Sequence, residues 1–350
     1  MEYAKTAMNI IHSTFNDHLP SYTAVGGSGR GASTGLSAVI LGRSGRQSRF
    51  AFFEELSKSG FDYVLSMERS DSRYDLESLT SAFPFVRFIL LKDEVSPGEE
   101  INLAASELSS PLFFVMRNDT KILRGSNAER TAERLLSGSA SGSSGSAAGG
   151  SVAGAYKRLC TVPVIQDGHA EIMPTLIAPA LLPGSLIRTI PHISEREGQS
   201  TLYPFDGIGV YDRERFIRLG GFDSSIKSFY WQLMDFGFRA SLWGEEIAFT
   251  QFIKLSYEDE LPVEDSTVTE SCMRFILKNL SPVFRRDYAY IPFRRFPSWL
   301  GKRKKLSSAW KEFREIRQWV KINRYRFKSD ARTIAERFET GDENNSGEEK

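Results

Sequence analysis

The first residues suited to binding a ligand follow a wholly apolar segment. Phe113-Phe114-Val115-Met116 runs directly into Arg117-Asn118-Asp119, so an acidic side chain comes just after a run that is typical of a buried strand. Ligands of parallel sheets bind beyond the carboxyl ends of the strands. Asp119 is therefore well placed to face the diphosphate of a nucleotide, through a divalent metal or by orienting the ribose. The plainer alternative is that Asp119 caps the next helix.

Two more groups of polar residues lie downstream. One is the turn Gly220-Gly221-Phe222-Asp223, and the other is Asp235 with Arg239 four residues later on a predicted helix. Asp223 and Asp235 are carboxylates, which can take a proton from a hydroxyl group as a general base. The alternatives are structural, because a Gly-rich turn often ends a helix and residues four apart on a helix form ion pairs.

The segments that must hold these residues alternate between short apolar runs and amphipathic stretches. Strands separated by helices imply parallel βαβ units, so the sequence predicts an α/β fold with a mainly parallel sheet flanked by helices. The predicted strands are 36–41, 63–67, 86–91, 111–116, 159–164, 172–177 and 247–255, and the predicted helices are 49–59, 76–83, 97–108, 211–219 and 231–243.

The order of these strands, with Gly98, Asn102 and Asp119 at their spacing, resembles the nucleotide-binding half of family 2 glycosyltransferases, which have the GT-A fold. The Gly-Gly-Phe-Asp turn and the helix with Asp235, Arg239 and Gly244 resemble that family's acceptor half in order and spacing. The resemblance covers about two hundred residues. It implies a donor that is a nucleotide-diphospho-sugar.

The resemblance also assigns roles to single residues. It places Glu68 against the nucleoside and Asp119 on a divalent metal, Mg²⁺ or Mn²⁺. Arg117 stands where the family has the first Asp of its Asp-x-Asp metal motif, and a guanidinium can itself neutralise a diphosphate. The predicted nucleotide-sugar contacts are Glu68, Asn102, Arg117, Asn118 and Asp119.

The acceptor half departs from the family at its base. The expected base falls on Leu233, with Gln232 before it, and leucine cannot take a proton. The catalytic role then passes to Asp235 or Asp223, with Glu197 of a neighbouring loop as a further alternative. Gly221 and Arg239 are the predicted acceptor-side residues.

The predicted function is transfer of a monosaccharide to a hydroxyl of a glycan or glycolipid, in assembly of a cell-envelope polysaccharide. Because Leu233 and Arg117 replace expected catalytic residues, the alternative is an inactive GT-A protein that binds or scaffolds an active transferase. A nucleotidyltransferase is a further alternative, since the run Gly42 to Arg46 partly matches a Gly-rich loop after a first strand.

The charge of the chain is unevenly distributed. Lys and Arg number 45 against 44 Asp and Glu, yet positions 285–337 hold 17 basic and 5 acidic residues. A helix there is predicted to gather Trp310, Phe313, Ile316, Trp319 and Val320 on one side. That stripe predicts contact with an anionic membrane surface or, as the alternative, packing on the domain. Without a base-reading motif, no nucleic-acid partner is expected.

Two cysteines cannot make a secreted disulfide framework, and the sequence contains no signal-peptide pattern and no apolar run long enough to span a membrane. We therefore expect a cytoplasmic protein, with the inner face of the membrane as an alternative site. The predicted organisation is an N-terminal extension and linker at 1–35, a GT-A domain at 36–260 with a disordered loop at 137–154, a basic helical region at 261–337 and an acidic disordered tail at 338–350.

Overall fold

A nine-stranded sheet forms the centre of the molecule. The structure is a computed structural model that describes residues 19–27, 34–43, 50–69, 76–123, 126, 128–137, 158–182, 186–258, 262–300 and 306–346. The strands of the sheet are β1 Tyr22–Gly26, β2 Leu36–Leu41, β3 Val64–Arg69, β4 Val86–Leu91, β5 Leu112–Arg117, β6 Thr120–Ile122, β7 Cys160–Gln166, β10 Gly209–Asp212 and β11 Ile247–Tyr257. Two hairpins lie outside it, β8 Leu176–Leu182 with β9 Leu186–His192 and β12 Val283–Arg285 with β13 Tyr288–Tyr290.

The strand order brings several carboxyl ends to one edge. The order is β1-β4-β3-β2-β5-β10-β7-β11-β6, and the four strands from β4 to β5 are parallel to one another. The pairs that include β1, β10 or β6 are antiparallel, whereas β7 and β11 are parallel to each other. By direction the sheet is mostly parallel, as predicted. The ends of β2, β3, β5 and β11 therefore share one edge with the start of β10.

Successive side chains along a strand point to opposite faces of the sheet, and an apolar core lies on each face. On β2, for example, Val39 and Leu41 belong to one core and Ala38 and Ile40 to the other. The helices that cover them, with those of the C-terminal region, are α1 Phe50–Ser57, α2 Leu76–Ala82, α3 Pro97–Glu107, α4 Ala128–Ser137, α5 Arg213–Leu219, α6 Phe229–Trp243, α7 Glu270–Phe275, α8 Arg295–Leu300, α9 Leu306–Asn323 and α10 Ala331–Ser346.

The helices nearest the strand ends have well-defined termini. Ser96 and Glu99 form a capping box at the start of α3, where Pro97 occupies a first-turn position that needs no backbone N–H. Helices α5 and α6 both end in a left-handed glycine, Gly220 and Gly244. These caps fix where the chain enters and leaves the sheet edge.

The C-terminal region packs on the same core as the sheet. Phe313, Ile316, Trp319 and Val320 of α9 are buried in it, and Trp319 stacks on Trp243 of α6 with ring centroids 5.7 Å apart. Most of the predicted apolar stripe of α9 is thus covered by the protein itself, while Trp310 is 37% exposed. Within the described ranges, no helix has both the length and the apolar character that a membrane crossing requires.

The predicted elements differ from the structure at several places, among them the hairpin β12–β13, which lies in the region predicted to be helical. Strand β1 lies in the segment that we predicted as a linker, and it pairs with β4. The predicted strand 172–177 is replaced by the hairpin β8–β9, and α10 continues to Ser346 in the predicted disordered tail. Of the predicted loop 137–154, all but Ser137 lies outside the described residues.

Candidate functional site

Five side chains meet at the shared strand edge, and we call them the strand-end cluster: Arg43, Arg117, Asp119, Asp206 and Tyr257. Arg43 follows β2, Arg117 and Asp119 lie at and after the end of β5, and Tyr257 ends β11. Asp206 comes from the short 3₁₀ turn before β10, with a left-handed φ of 52°. Because β10 runs against β5, its first residues lie at the same edge as the last residues of β5.

Asp206 is the centre of this cluster. Its carboxylate accepts hydrogen bonds from Arg43 Nη2 at 2.6 Å, from Arg117 Nη2 at 2.7 Å and Nε at 3.1 Å, and from the Tyr257 hydroxyl at 2.9 Å. Two guanidinium groups are thereby held side by side. Arg117 is buried and its guanidinium lies 5.3 Å from the centre of the Phe229 ring, whereas 30% of the Arg43 side chain is exposed.

Asp119 completes the cluster and keeps one oxygen without a partner. Its Oδ2 accepts from Arg43 Nε at 2.5 Å, but its buried Oδ1 has no hydrogen-bond donor within the described residues. An unsatisfied buried oxygen is costly, so it marks a place where a ligand atom can bind. Asn118 binds the backbone N–H of Arg43 at 3.0 Å and so fixes the loop that carries this guanidinium.

Two carboxyl groups lie beside the cluster on the sheet's parallel side. Glu68 at the end of β3 is buried and accepts from Ser66 Oγ at 2.6 Å. Glu100, in the first turn of α3, has an enclosed Oε2 without a partner in the described part of the chain. Burial raises the pKa of Glu100 to about 8, with Arg117 lowering it and Glu68 raising it further.

Asn102 lies against the turn that contains Gly221, although the sequence assigned the first residue to the nucleotide side and the second to the acceptor side. The Asn102 amide donates to Phe222 O and accepts from Phe222 N–H, both at 2.8 Å, and so joins α3 to the turn after α5. Gly221 has a φ of +60°, and a Cβ there would lie 2.2 Å from Asn102 Oδ1. Both residues therefore hold the fold together at this point.

Asp223, Asp235, Arg239, Arg274 and Lys278 form a second group, which we call the buried ion network. Lys278 Nζ lies 2.9 Å from Asp223 Oδ2 and 3.0 Å from Asp235 Oδ1. Arg239 pairs with Asp235 at 2.9 Å and donates to two carbonyls of the turn after α5, Leu219 O and Gly221 O. Arg274 pairs with Asp223 at 3.2 Å.

No member of the buried ion network is more than 4% exposed. Burial alone would raise the pKa of Asp223, but Lys278 and Arg274 outweigh it and hold this pKa well below its usual value. A carboxylate that binds protons so weakly, and that is closed off from solvent, is poorly suited to accept a proton. The catalytic roles of Asp223 and Asp235 stay predictions, while their observed contacts neutralise buried cations. Leu233, which precedes Asp235 by two residues, is buried in the apolar core.

Glu264 differs from Asp223 because it lies beside a cavity and its pKa is raised. It lines a cavity of about 440 Å³ together with Arg188, Tyr230 and Trp231. Its Oε2 accepts from the Tyr203 hydroxyl at 2.9 Å, and its Oε1 is enclosed without a partner among described residues. Burial raises the pKa of Glu264 to about 7, and the charge of Asp206 in the strand-end cluster adds to the rise.

The strand-end cluster offers few free oxygen atoms to a divalent metal. Asp119 and Asp206 are the only carboxylates of the strand-end cluster, and both are bound by guanidinium groups. Nowhere in the described ranges do three His, Cys, Asp or Glu side chains gather as metal ligands would. Within the strand-end cluster only Asp119 Oδ1 lacks a described partner, so a cation bound there would take most of its ligands from the diphosphate and from water.

The sheet with this edge defines the GT-A fold of glycosyltransferases. A similar solved structure is that of GalNAc-T7 with UDP, GalNAc and Mn²⁺, with a TM-score of 0.54 and 13% identity over 81% of this chain and 54% of that one. Staphylococcus aureus TarS with UDP-GlcNAc matches 87% of this chain and 92% of its own, at 12% identity and a TM-score of 0.46. No protein-family model matches the sequence, and the curated proteins include no match. The predicted fold is confirmed, and family 2 stays a prediction.

Sequence reasoning missed Arg43, Asp206, Tyr257, Glu100 and Glu264. Asp206 lies outside the motifs that the sequence analysis identified, and Tyr257 lies just after a predicted strand, so neither has a local pattern that marks it. Glu100 looks like an ordinary acidic residue of a first helical turn. Arg43 had one signal, its place directly after the first predicted strand.

Proposed function

We propose that this chain is a glycosyltransferase that moves a monosaccharide from a nucleotide-diphospho-sugar to a hydroxyl of a glycan or glycolipid. The observation that carries the proposal is the pair of guanidiniums, Arg43 and Arg117, beside the unpartnered Oδ1 of Asp119 at the strand edge. Positive groups that converge at strand ends suit a diphosphate. The GT-A fold, whose solved examples include a protein with bound UDP, supports the same reading.

In this proposal the diphosphate binds the two guanidiniums instead of a metal. Arg117 is held rigid by Asp206 and Phe229, and Arg43 is the cation that reaches solvent. Asp119 Oδ1 accepts a hydrogen bond from a ribose hydroxyl. GalNAc-T7 holds Mn²⁺ in its solved structure, but the donor set of this chain favours charge neutralisation by arginine.

Glu264 is our candidate for the base. In the reaction the acceptor hydroxyl oxygen attacks the anomeric carbon, the bond to the diphosphate breaks, the nucleoside diphosphate leaves and the hydroxyl proton passes to the base. A base works best with a pKa near the working pH, and the pKa of Glu264 is raised to about 7. Glu264 therefore fits this task better than Asp235 or Asp223. The cavity beside it, with Tyr230 and Trp231, supports an acceptor sugar there.

Calorimetric titration with UDP-, GDP- and dTDP-sugars tests the donor site. We expect one of them to bind with and without Mn²⁺. Arg43→Gln should weaken it about tenfold to a hundredfold, since a charge-assisted hydrogen bond contributes about 1.5–3 kcal/mol. Arg87→Gln is the matched control, because Arg87 is 35% exposed and pairs with Glu107 away from the strand edge. Failure of every donor to bind would contradict the proposal.

The base is tested by the pH dependence of donor turnover. Turnover should rise with pH through about 7 and lose this limb in Glu264→Gln, at a cost of about two to four powers of ten in rate. Asp265→Asn removes a neighbouring exposed charge and should keep the wild-type profile. A donor that binds but is never turned over would instead support the inactive binding protein.

A further inference from the structure

We propose that a basic cleft in the C-terminal region binds an anionic oligosaccharide. The basic cleft lies between the hairpin β12–β13 and helix α9 and encloses about 790 Å³. Pockets that bind small ligands typically enclose about 300–1,000 Å³. Its basic lining residues are Arg285, Lys311, Arg314, Arg317, Lys321 and Arg324.

The described residues leave much of the positive charge of the basic cleft unpaired. Among the described lining residues Glu315 is the one carboxylate, and it pairs with Arg274 of the buried ion network at 3.1 Å. Lys311, Arg314 and Lys321 are exposed, and none has a carboxylate within ion-pair distance among the described residues. Six clustered cations repel one another, so an anion that binds between them relieves this repulsion.

Aromatic rings line the same cleft and make it suitable for sugars. Tyr288, Tyr290 and Trp310 belong to its walls, and Tyr290 is 37% exposed. Arg324 lies over the Tyr288 ring at 5.4 Å, so a cation and a ring are held together. The apolar faces of sugar rings pack on aromatic side chains, while their charged substituents pair with Lys and Arg. The cleft offers both kinds of contact within one concave surface.

The shape of this region argues against a flat membrane as the partner. Phe313, Ile316, Trp319 and Val320 of α9 are buried in the core, and the basic residues line a recess between α9 and the hairpin β12–β13. A single strand of nucleic acid would also use basic and aromatic side chains. Our choice of a glycan over a nucleic acid rests on the proposed function; the anion site itself does not.

Titrations of the full chain with defined probes test this proposal. A heparin-derived hexasaccharide serves as the anionic glycan, and neutral maltohexaose, a dT₁₂ oligonucleotide and phosphatidylglycerol vesicles are the comparisons. The double variant K311Q/K321Q removes two cleft charges. The matched control K92Q/K254Q removes two exposed lysines elsewhere. We expect the hexasaccharide to bind the wild type and the control equally and the cleft variant about tenfold more weakly.

The contribution of the aromatic rings separates a glycan from a plain polyanion. Tyr290→Ser should weaken hexasaccharide binding about fivefold, because the sugar loses a packing surface. The proposal is overturned by equal loss in K311Q/K321Q and K92Q/K254Q, by no effect of Tyr290→Ser in a folded variant, or by tighter binding of dT₁₂ or vesicles than of the hexasaccharide through the same lysines.

The same variants distinguish this proposal from the donor site. Binding of a nucleotide-sugar should be unchanged in K311Q/K321Q, since neither lysine lies in the strand-end cluster. A chain that binds the hexasaccharide through Lys311 and Lys321 but no nucleotide-sugar keeps the basic cleft and loses the proposed function. The reverse result keeps the proposed function and removes the cleft.

Discussion

The strand-end cluster and the buried ion network are built from the same kinds of side chain but differ in their access to solvent. Each has two carboxylates bound by arginine, with Lys278 added in the network. In the network Asp235 uses both oxygens and is fully buried. In the cluster one oxygen of Asp119 has no described partner and Arg43 is 30% exposed. Residue type and spacing therefore do not distinguish the proposed binding site from a structural ion network, whereas solvent access and unsatisfied hydrogen-bonding atoms do.

The largest expected effect comes from breaking the buried ion network. Asp235→Ala removes the carboxylate that Lys278, Arg239 and Asn279 share, and leaves two buried cations short of a partner. We expect the free energy of unfolding to fall by about 3–5 kcal/mol, measured by urea denaturation. A stable variant that binds donor normally but has lost turnover would instead support the catalytic role that the sequence assigned to Asp235.

Gly221→Ala tests the turn that the network supports. A side chain at φ +60° is strained, and its Cβ would lie 2.2 Å from Asn102 Oδ1, so the paired hydrogen bonds to Phe222 would break. We expect a loss of about 2–4 kcal/mol in unfolding free energy.

Gly60→Ala is the control for backbone strain alone. Gly60 has a φ of +79°, but nothing lies within 4 Å of a Cβ there. It should cost about 1 kcal/mol. Equal losses at Gly221 and Gly60 would mean that the contact with Asn102 adds nothing to stability.

The pH dependence of stability tests whether Glu264 has the raised pKa that its proposed role as a base requires. Its pKa is raised from 4.5 to about 7 in the folded protein, so the unfolded chain releases this proton first as pH rises. The stabilisation is complete below pH 4.5 and is lost as pH rises through 7. The loss amounts to about 2–3 kcal/mol.

Glu264→Gln should remove this pH dependence, so its unfolding free energy falls less than that of the wild type between pH 5 and 8. Urea denaturation at several pH values measures the difference, and Asp265→Asn is the control that keeps the wild-type slope. If the two profiles of wild type and Glu264→Gln run in parallel, the carboxyl is ionised at ordinary pH and is no better a base than any surface glutamate.

The sequence predicted the elements whose local pattern matches their environment. Strands β2 and β5 are continuous apolar runs because they are buried on both faces. Strand β1 was missed because it is a half-exposed edge strand next to a Gly/Ser-rich segment. The hairpin β8–β9 contains Pro179 and Pro191, which argue against central strands and are tolerated in a two-stranded hairpin.

The candidate site was predictable only where a motif marks it. Arg117, Asn118 and Asp119 follow an apolar strand and were found, while Asp206 and Tyr257 reach them only through the sheet's long-range pairing. Lys278 was counted with the basic C-terminal region, yet it is buried between Asp223 and Asp235. A sequence shows the charge of such a residue but not the partners that the fold brings to it.

The smallest expected effect best distinguishes a diphosphate bound by arginine from a diphosphate bound through a metal at the strand edge. In Asp119→Asn the amide oxygen accepts from Arg43 Nε, and the NH2 group takes the Oδ1 position, where it can donate to the oxygen of a ribose hydroxyl. Arg43 also keeps Asp206 as its partner. We expect at most about 1 kcal/mol of lost stability, because the pair with Arg43 is partly solvated. Donor affinity should stay within about threefold of the wild type with and without Mn²⁺, since the loss of one partly solvated charge pair changes binding little. If Asp119 holds a metal, as the sequence resemblance implied, the same substitution abolishes a Mn²⁺-dependent part of binding, and titrations with Mn²⁺ or EDTA tell the two results apart.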